Sequence, residues 1–133
     1  VVTVGLNALL TEFFKGSSYT ATWCIGLKST GTALAADTMS SHSSWTEITD
    51  YTQSARPTIV LGTPSAGSVD NTASKADFSI NGTTTIYGAF LVNASAKGGT
   101  GGTLYGVVDF GSSRAVISGD TLTVTVTLTA ASA

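Results

Sequence analysis

Charged side chains are scarce in this sequence of 133 residues. Only 11% of the residues are Asp, Glu, Lys or Arg, against about 25% in an ordinary soluble domain. The net charge is −2, and the six basic residues occur singly along the chain. Nucleic-acid-binding domains concentrate Lys and Arg on one face, and membrane-surface segments carry polybasic clusters. We therefore expect neither nucleic acid nor a membrane among the partners.

Cysteine and long apolar runs are also nearly absent. Cys24 is the one cysteine, which excludes an intramolecular disulfide and a multi-cysteine zinc site. No apolar run reaches the roughly 18 residues of a membrane-spanning helix, and no basic-then-apolar signal segment opens the sequence. These absences predict a single domain that is made in a cytosol and folds without a disulfide.

Patterns that carry catalysis are missing as well. The only histidine, His42, lies in the stretch SHSSWTEITDYTQSARP (41–57). Its neighbours in a turn are not a preorganised Ser-His-Asp constellation, and no Gly-x-Ser-x-Gly elbow occurs. Glu47 and Asp50 are three residues apart on a short predicted strand, so their carboxylates would point to opposite faces. They would not flank a glycosidic bond. We expect no enzymatic activity and no cofactor.

Metal ligands are equally poorly grouped. A single histidine with two carboxylates is a weak set for a transition metal, and we expect no metal site. Asp70, Asn71 and Asp77 leave a loop Ca²⁺ as an alternative, although the Asp-x-Asp-x-Asp-Gly pattern of a calcium loop is absent.

Serine and threonine are abundant, with 17 Ser and 23 Thr. Threonine is β-branched and suits a half-exposed pleated strand. In TLTVTVTLTA (121–130) Leu and Val alternate with Thr, which predicts a strand with its apolar residues inward and its threonines outward. Turn signals, among them Asn81-Gly82 and Ser118-Gly119-Asp120, separate about seven or eight such segments. The pattern predicts a mostly β protein: one antiparallel β-sandwich, jelly-roll-like, over residues 19–133.

The N-terminal segment (residues 1–18) has a different period. In VGLNALLTEFFKG the apolar residues recur at helical spacing, and Gly16 is a suitable stop after Lys15. The pattern predicts an amphipathic helix that either packs on the edge or end of the β core or docks on a partner subunit. Its apolar stripe consists of Leu6, Leu9, Leu10, Phe13 and Phe14.

The segment 42–57 is a second candidate contact region. Strand alternation would place Trp45, Glu47 and Tyr51 on one face, with aromatic rings whose polar tips suit a boundary. Arg56 could pair with Glu47 or Asp50, or stack on an aromatic ring. In YTATWCIGL (19–27), which is predicted to be a strand, alternation places Cys24 opposite the apolar face and indicates a structural role for its thiol. We predict an interface that includes Trp45, Glu47, Tyr51 and Arg56 together with the helical stripe.

A series of motifs runs in order through most of the chain. The motifs are Gly-Leu-Asn-Ala-Leu (5–9), Trp-Thr-Glu (45–47), Tyr51, Arg56-Pro57, Asp70-Asn71, Phe78-Ser79-Ile80-Asn81, Gly88-Ala89-Phe90-Leu91, Lys97-Gly98-Gly99-Thr100, Gly102-Thr103-Leu104-Tyr105-Gly106 and Gly119-Asp120-Thr121-Leu122. The series resembles a family of small structural proteins of tailed bacteriophages and prophages.

The resemblance implies a capsid decoration (cement) protein on the exterior of the virion, made in the host bacterial cytoplasm. Such a protein binds the major capsid protein of an HK97-like shell, stabilises the head and is often a jelly-roll homotrimer. The resemblance brings no catalytic residues. The alternative is a tail fibre or baseplate module that binds carbohydrate on a host surface through exposed aromatic side chains.

Overall fold

The computed structural model describes residues 1–15 and 22–131, and this part of the chain is mostly β with one α-helix. Strands and isolated β-bridges account for 41% of these described residues, and the paired strands are antiparallel. The elements are α1 (Thr3–Phe14), β1 (Cys24–Lys28), β2 (Glu47–Ile48), β3 (Ser68–Asp70), β4 (Ala76–Ser79), β5 (Thr84–Val92), β6 (Leu104–Val116), β7 (Thr121–Val124) and β8 (Thr127–Thr129). The predicted boundary between 1–18 and 19–133, and the predicted stop at Gly16, lie outside the described residues.

The largest sheet has four strands in the order β2-β1-β5-β6. Strand β5 lies between β1 and β6, and its residues from Gly88 to Val92 are buried. The sequence TTTIYGAFLV (83–92) has apolar residues at both sets of alternate positions, which predicts a strand covered on both faces. The structure confirms this prediction, because Ala89 and Leu91 belong to one apolar cluster and Phe90 and Val92 to another. The remaining strands form two ribbons, β4 with β7 and β3 with β8.

The apolar side chains form two clusters on the two faces of the main sheet. The first includes Ile25, Leu27, Ile48, Tyr51, Phe78, Ile86 and Leu91; the second consists of Val2, Cys24, Met39, Trp45, Phe90, Val92 and Leu104. Cys24 therefore belongs to the second apolar cluster, and β1 is buried along its whole length. The expectation of an apolar face on one side of β1 only is wrong, because the loop between β1 and β2 supplies Met39 and Trp45 to cover the other side.

The C-terminal threonine-rich segment follows its predicted alternation but is not one strand. The threonines at 121, 123, 125, 127 and 129 are exposed, while Leu122, Val124, Val126 and Leu128 pack against the first cluster. The ladder divides between β7 and β8, which pair with different strands. At the division the side-chain oxygen of Asn71 accepts a hydrogen bond from the Val126 amide at 2.7 Å.

The Asn81-Gly82 signal does not produce a hairpin. Strand β4 pairs with β7, whereas β5 pairs with β1 and β6. Neither Asn81 nor Gly82 has the positive φ that a type I′ turn requires. The Asn81 amide instead donates to the Asp50 carbonyl oxygen at 3.2 Å. The prediction of adjacent strands is wrong, because the chain here crosses from a ribbon to the main sheet.

Strand β6 departs from regular alternation at two irregularities in its pairing with β5. Ile86 pairs with Arg114 and Gly88 with Asp109, so Tyr87 alone lies opposite residues 110–113. A second shift falls between Leu91 and Val92. Alternation along TLYGVVDF (103–110) predicts that Leu104, Val108 and Phe110 share one face, but Leu104 is fully buried and Val108 is 63% exposed. The error follows from the second shift, because it places one extra residue between Leu104 and Gly106 and so reverses the facing of the next side chains.

Candidate protein interface

Helix α1 contacts its own domain through its N-terminal end and its small residues. The Val2 amide donates to the Tyr105 carbonyl oxygen at 3.0 Å, and the Thr3 amide donates to the Ala35 carbonyl oxygen at 2.9 Å. A β-carbon added at Gly5 would lie 2.4 Å from the same Tyr105 oxygen. Only glycine permits this approach of the helix to β6.

Helix α1 differs from an ordinary surface helix in which of its side chains face its own domain. Its partly buried positions after Gly5 are Ala8, Thr11 and Glu12, and one carboxylate oxygen of Glu12 is buried without a hydrogen-bond partner. The large apolar side chains face away from the domain. This arrangement is the reverse of that of an ordinary surface helix, which turns its apolar stripe toward its own core.

The predicted apolar stripe forms the exposed face of α1, which we call the α1 face. Its exposed fractions are 47% for Leu6, 48% for Leu9, 52% for Leu10, 76% for Phe13 and 74% for Phe14. The helix therefore packs on the β core, as one of the two sequence interpretations had it, but this stripe does not make that contact. The rings of Phe13 and Phe14 contact each other edge to face, with centroids 5.0 Å apart.

The α1 face is about as large as the largest apolar patch on a typical monomer. Two phenyl side chains that are three-quarters exposed present about 300 Å², since an aromatic side chain covers about 150–250 Å². With three half-exposed leucines the face falls within the about 300–600 Å² of the largest patch on a typical monomer. Patches of that size often bind other molecules.

Trp45, in the second predicted contact region, is buried. Its side chain is 2% exposed, and the indole nitrogen donates to Asp37 Oδ2 at 2.9 Å. His42 stacks on the indole with ring centroids 4.0 Å apart, and its Nδ1 lies 3.0 Å from the Trp45 carbonyl oxygen. The one histidine thus helps to hold the tryptophan in place.

Trp45 and Tyr51 do not share a face. Trp45 belongs to the second cluster and Tyr51 to the first. The regular strand in this segment is only two residues long, and Tyr51 forms an isolated bridge with Ile80. The prediction of a common aromatic face is therefore wrong, because strand alternation applies only while the extended conformation continues.

Arg56 pairs with Glu47, one of its predicted partners. Its Nε donates to Glu47 Oε1 at 2.9 Å and its Nη2 to Oε2 at 2.7 Å. The same guanidinium donates to the carbonyl oxygens of Ala94 at 2.9 Å and Gly99 at 2.7 Å. It also lies 5.3 Å from the centroid of the Phe90 ring. The Arg56 side chain is fully buried and that of Glu47 is 8% exposed.

This ion pair holds two segments of the chain together. Glu47 Oε2 also accepts a hydrogen bond from the Gly98 amide at 3.0 Å, and Lys97 Nζ donates to the Tyr51 carbonyl oxygen at 2.9 Å. The glycine-rich loop after β5 is thereby attached to the segment 47–56. We call this group of contacts the Arg56 clamp. Trp45, Tyr51 and Arg56 contact their own chain and are buried, so they offer no surface to a partner while this packing persists.

Tyr51 has an unusual environment for a phenol. The side chain is fully buried, and its hydroxyl has no hydrogen-bond partner. Burial, with a further contribution from the Glu47 carboxylate, raises the pKa of Tyr51 far above its usual value. Lys97 Nζ lies 4.6 Å from the ring centroid.

A second buried cation has no counterpart in the sequence predictions. Lys28 is 1% exposed. Its ammonium group donates to the carbonyl oxygens of Ser29 and Gly31 and to Asp109 Oδ1, the last at 2.6 Å. Nothing in the sequence pattern distinguishes this lysine at a strand end from an exposed one, since its partner is 81 residues away.

The sequence also gave no indication of an apolar cavity of about 260 Å³ between β6 and the segment that forms β7 and β8. Its lining residues carry no charged side chain: Val1, Ile25, Ala89, Phe90, Leu91, Tyr105, Gly106, Val107, Val108, Phe110, Val124, Thr125, Val126, Thr127 and Leu128. We call it the β6–β8 cavity.

The residues of the calcium alternative each bond within the chain. Asp70 Oδ1 accepts from the Thr72 amide at 2.8 Å, and hydrogen bonds from Thr72 lower the pKa of Asp70. Asp77 Oδ1 accepts from the Thr123 hydroxyl at 2.6 Å. Within residues 1–15 and 22–131, no group of three or more His, Cys, Asp and Glu side chains is placed to hold a metal ion. In the same residues no helix is long and apolar enough to cross a membrane.

Comparisons with protein-family models, with curated proteins and with solved structures find no match to this chain.

Proposed function

We propose that this protein is a bacteriophage capsid decoration (cement) protein. In this proposal it binds the outer surface of an HK97-like shell, contacts the major capsid protein, stabilises the head and forms a homotrimer. The observation that carries the proposal is the α1 face: a helix that presents its leucines and phenylalanines outward and its small residues inward. The motifs that resemble small phage structural proteins give the class of partner.

The proposed architecture is a jelly-roll-like β-sandwich. The first apolar cluster supports it, since residues of the main sheet (Ile25, Leu91) and of the β4–β7 ribbon (Phe78, Val124) pack together there. Two β layers over one apolar cluster are the arrangement from which a sandwich is built.

The energetics of such a protein favour many modest contacts. A standard interface buries about 800 Å² on each partner, and the α1 face supplies a substantial part of that. With few charges, the protein depends on apolar area and on avidity. Copies that are joined to one another bind a repetitive shell much more tightly than a single copy does.

Co-sedimentation of the purified protein with empty shells tests the proposal. We expect the wild type to sediment with shells and to raise the temperature at which they open. The double variant Phe13→Ser/Phe14→Ser should lose both effects. Val60 is 61% exposed outside the α1 face, so Val60→Ser is the matched control and should behave as the wild type. Wild-type protein that stays in the supernatant, or a virion that carries the protein only at its tail, would overturn the proposal.

The alternative, a carbohydrate-binding tail module, has less support. It was based on exposed aromatic side chains in the segment 42–57. Trp45 is 2% exposed and Tyr51 is fully buried, so this segment offers no aromatic platform for a sugar ring.

A further inference from the structure

The β6–β8 cavity and the phenylalanine pair lie at opposite ends of α1. Val1, which precedes the helix, lines the cavity, whereas Phe13 and Phe14 form the last turn. A helix of 12 residues is about 18 Å long. A chain whose helix is docked on Tyr105 therefore cannot place its own phenylalanine pair in its own cavity.

The two features match in size and polarity. An apolar cavity of about 150 Å³ is large enough to hold a benzene molecule, so a cavity of about 260 Å³ has room for a phenyl ring and part of its neighbour. Neither the lining residues nor the phenylalanine pair carries a charged side chain. Insertion would thus remove apolar surface from water on both sides without burying a charged side chain.

We propose that the Phe13–Phe14 end of α1 in one copy of the chain enters the β6–β8 cavity of a second copy. Leu9 and Leu10, which are about half exposed, would extend the contact along the neighbour. This inference rests on the proposed function, which treats the α1 face as an interface, and it deepens that function by naming the partner of this face as another copy of the chain.

The contact joins two different surfaces. Each copy has one phenylalanine pair and one cavity, so every copy donates to one neighbour and accepts from another. Such a head-to-tail contact closes into a ring or continues as an open chain. A ring of three copies would account for the proposed homotrimer. Pairing of one α1 face with another α1 face, the competing arrangement, would leave the cavity unused.

Two kinds of variant separate these arrangements. The donor variant, Phe13→Ser/Phe14→Ser, removes the inserted rings and keeps the cavity. The acceptor variant, Val126→Trp, fills the cavity and keeps the rings; Leu128→Trp is a second acceptor variant in case the first does not fold. Both changed positions line the cavity and are only partly buried. Val60→Ser again serves as the control, and circular dichroism checks that each variant is folded.

Sedimentation equilibrium over a range of concentrations provides the measurement. We expect the wild type and Val60→Ser to associate, and each donor or acceptor variant alone to associate at least 100-fold more weakly. An equimolar mixture of donor and acceptor variants should form a dimer and nothing larger, because it contains one intact donor and one intact cavity per pair.

Three outcomes would overturn the inference: a monomeric wild type, folded acceptor variants that associate like the wild type, or a mixture that stays monomeric. Co-sedimentation with shells keeps the two proposals apart. If a monomeric wild type still binds shells through its α1 face, the inference and the proposed homotrimer fall, and the proposed role in binding the shell stands. If the mixture dimerises but no form binds shells, the proposed function falls and the inference stands.

Discussion

The α1 face and the segment 42–57 contain similar side chains, but the aromatic side chains of the α1 face are exposed and those of the segment are buried. Both are rich in aromatic residues, and both were predicted to contact a partner. Phe13 is 76% exposed, whereas Trp45 is 2% exposed. The indole has a hydrogen-bond acceptor in Asp37, and the neighbouring Arg56 has a carboxylate and two carbonyl oxygens. Helix α1 instead contacts its domain through the Val2 and Thr3 amides and the close approach at Gly5.

The two regions differ in how their side chains pack, and this difference bears on which of them is the interface. Aromatic content does not distinguish the two regions. The two regions differ in the residues that face their own domain. The segment 42–57 has polar groups that are hydrogen-bonded inside the domain. The residues of α1 that face the domain are mostly small, and they include Glu12 with an unpaired carboxylate oxygen. For this reason we expect the outward apolar residues of α1, and not the buried aromatic residues of 42–57, to bind another surface.

Removing the charge of Arg56 should have the largest effect on folding. Arg56→Met leaves the buried Glu47 carboxylate without its cation and frees the loop that the Arg56 clamp attaches. Breaking a buried pair from one side costs about 3–5 kcal/mol. Denaturant unfolding of the two proteins should show a fall of that size in the free energy of unfolding.

Arg114→Met is the matched control for this prediction. Arg114 is exposed and its Nη1 donates to Ser112 Oγ, so its loss should change the free energy of unfolding by less than about 0.5 kcal/mol. If Arg56→Met were no more harmful than Arg114→Met, the clamp would not hold the segment, and the contrast with α1 would lose its basis.

The sequence predicted local features well and long-range ones poorly. The helix, the outward threonines of 121–129 and the turn at Gly119, where φ is +99°, follow from neighbouring residues. The pairing of β4 with β7, the exposed side of α1 and the partner of Lys28 depend on contacts many residues apart. The Glu47–Arg56 pair was predictable because the residues are nine positions apart and opposite in charge in a charge-poor chain.

The contrast between local and long-range contacts also explains why the facing of side chains was predicted wrongly in β6 and in 45–51. A prediction from alternation assumes an uninterrupted strand, but β6 contains four residues opposite one, and the regular part of the other segment is β2, two residues long. Sequence offers no local sign of either interruption, because bulges arise where the paired strand and the packing around it require them.

Enlarging Gly5 should have the next largest effect and should be confined to α1. In Gly5→Ala the new methyl group would lie 2.4 Å from the Tyr105 carbonyl oxygen, so the helix must move away from β6. Overpacking of this kind typically costs about 1–3 kcal/mol. Hydrogen exchange should show faster exchange of the Val2 and Thr3 amides and little change in β5.

Asn7→Ala is the control on the same helix, because Asn7 is exposed and alanine favours a helix. It should leave the exchange of the Val2 and Thr3 amides unchanged or slow it. Equal exchange in Gly5→Ala and the wild type would contradict the close docking of α1.

Replacing Tyr51 by phenylalanine should stabilise the domain by about 1 kcal/mol. The hydroxyl is buried without a partner, and an unsatisfied buried polar group costs about 1–3 kcal/mol. The ring, its contact with Phe78 at 5.0 Å and the Lys97 ammonium over its face remain in the variant. A lower free energy of unfolding at neutral pH would show that the hydroxyl has a favourable partner.

The pH dependence of the same pair of proteins gives an independent check. The pKa of Tyr51 is raised in the folded chain, whereas an unfolded tyrosine loses its proton near pH 10. Below pH 10 both states are protonated. Above it the unfolded state alone releases the proton, so the wild type loses stability as the pH rises. Tyr51→Phe should lack this contribution, and the difference in unfolding free energy between the two proteins should grow above pH 10.

The smallest effect on folding should come from the α1 face, which completes the contrast. Leu9→Ser/Leu10→Ser changes two side chains that are 48% and 52% exposed and that belong to neither apolar cluster. Surface changes of this kind alter the free energy of unfolding by about 0.5 kcal/mol or less. The measurement is denaturant unfolding at a concentration at which the protein is monomeric, with Arg56→Met unfolded in parallel. A loss above about 2 kcal/mol would place these leucines in the chain's own core. A small loss, together with weaker association at high concentration, would mean that the apolar side chains of α1 contribute to contacts between molecules and those of 42–57 to contacts within one.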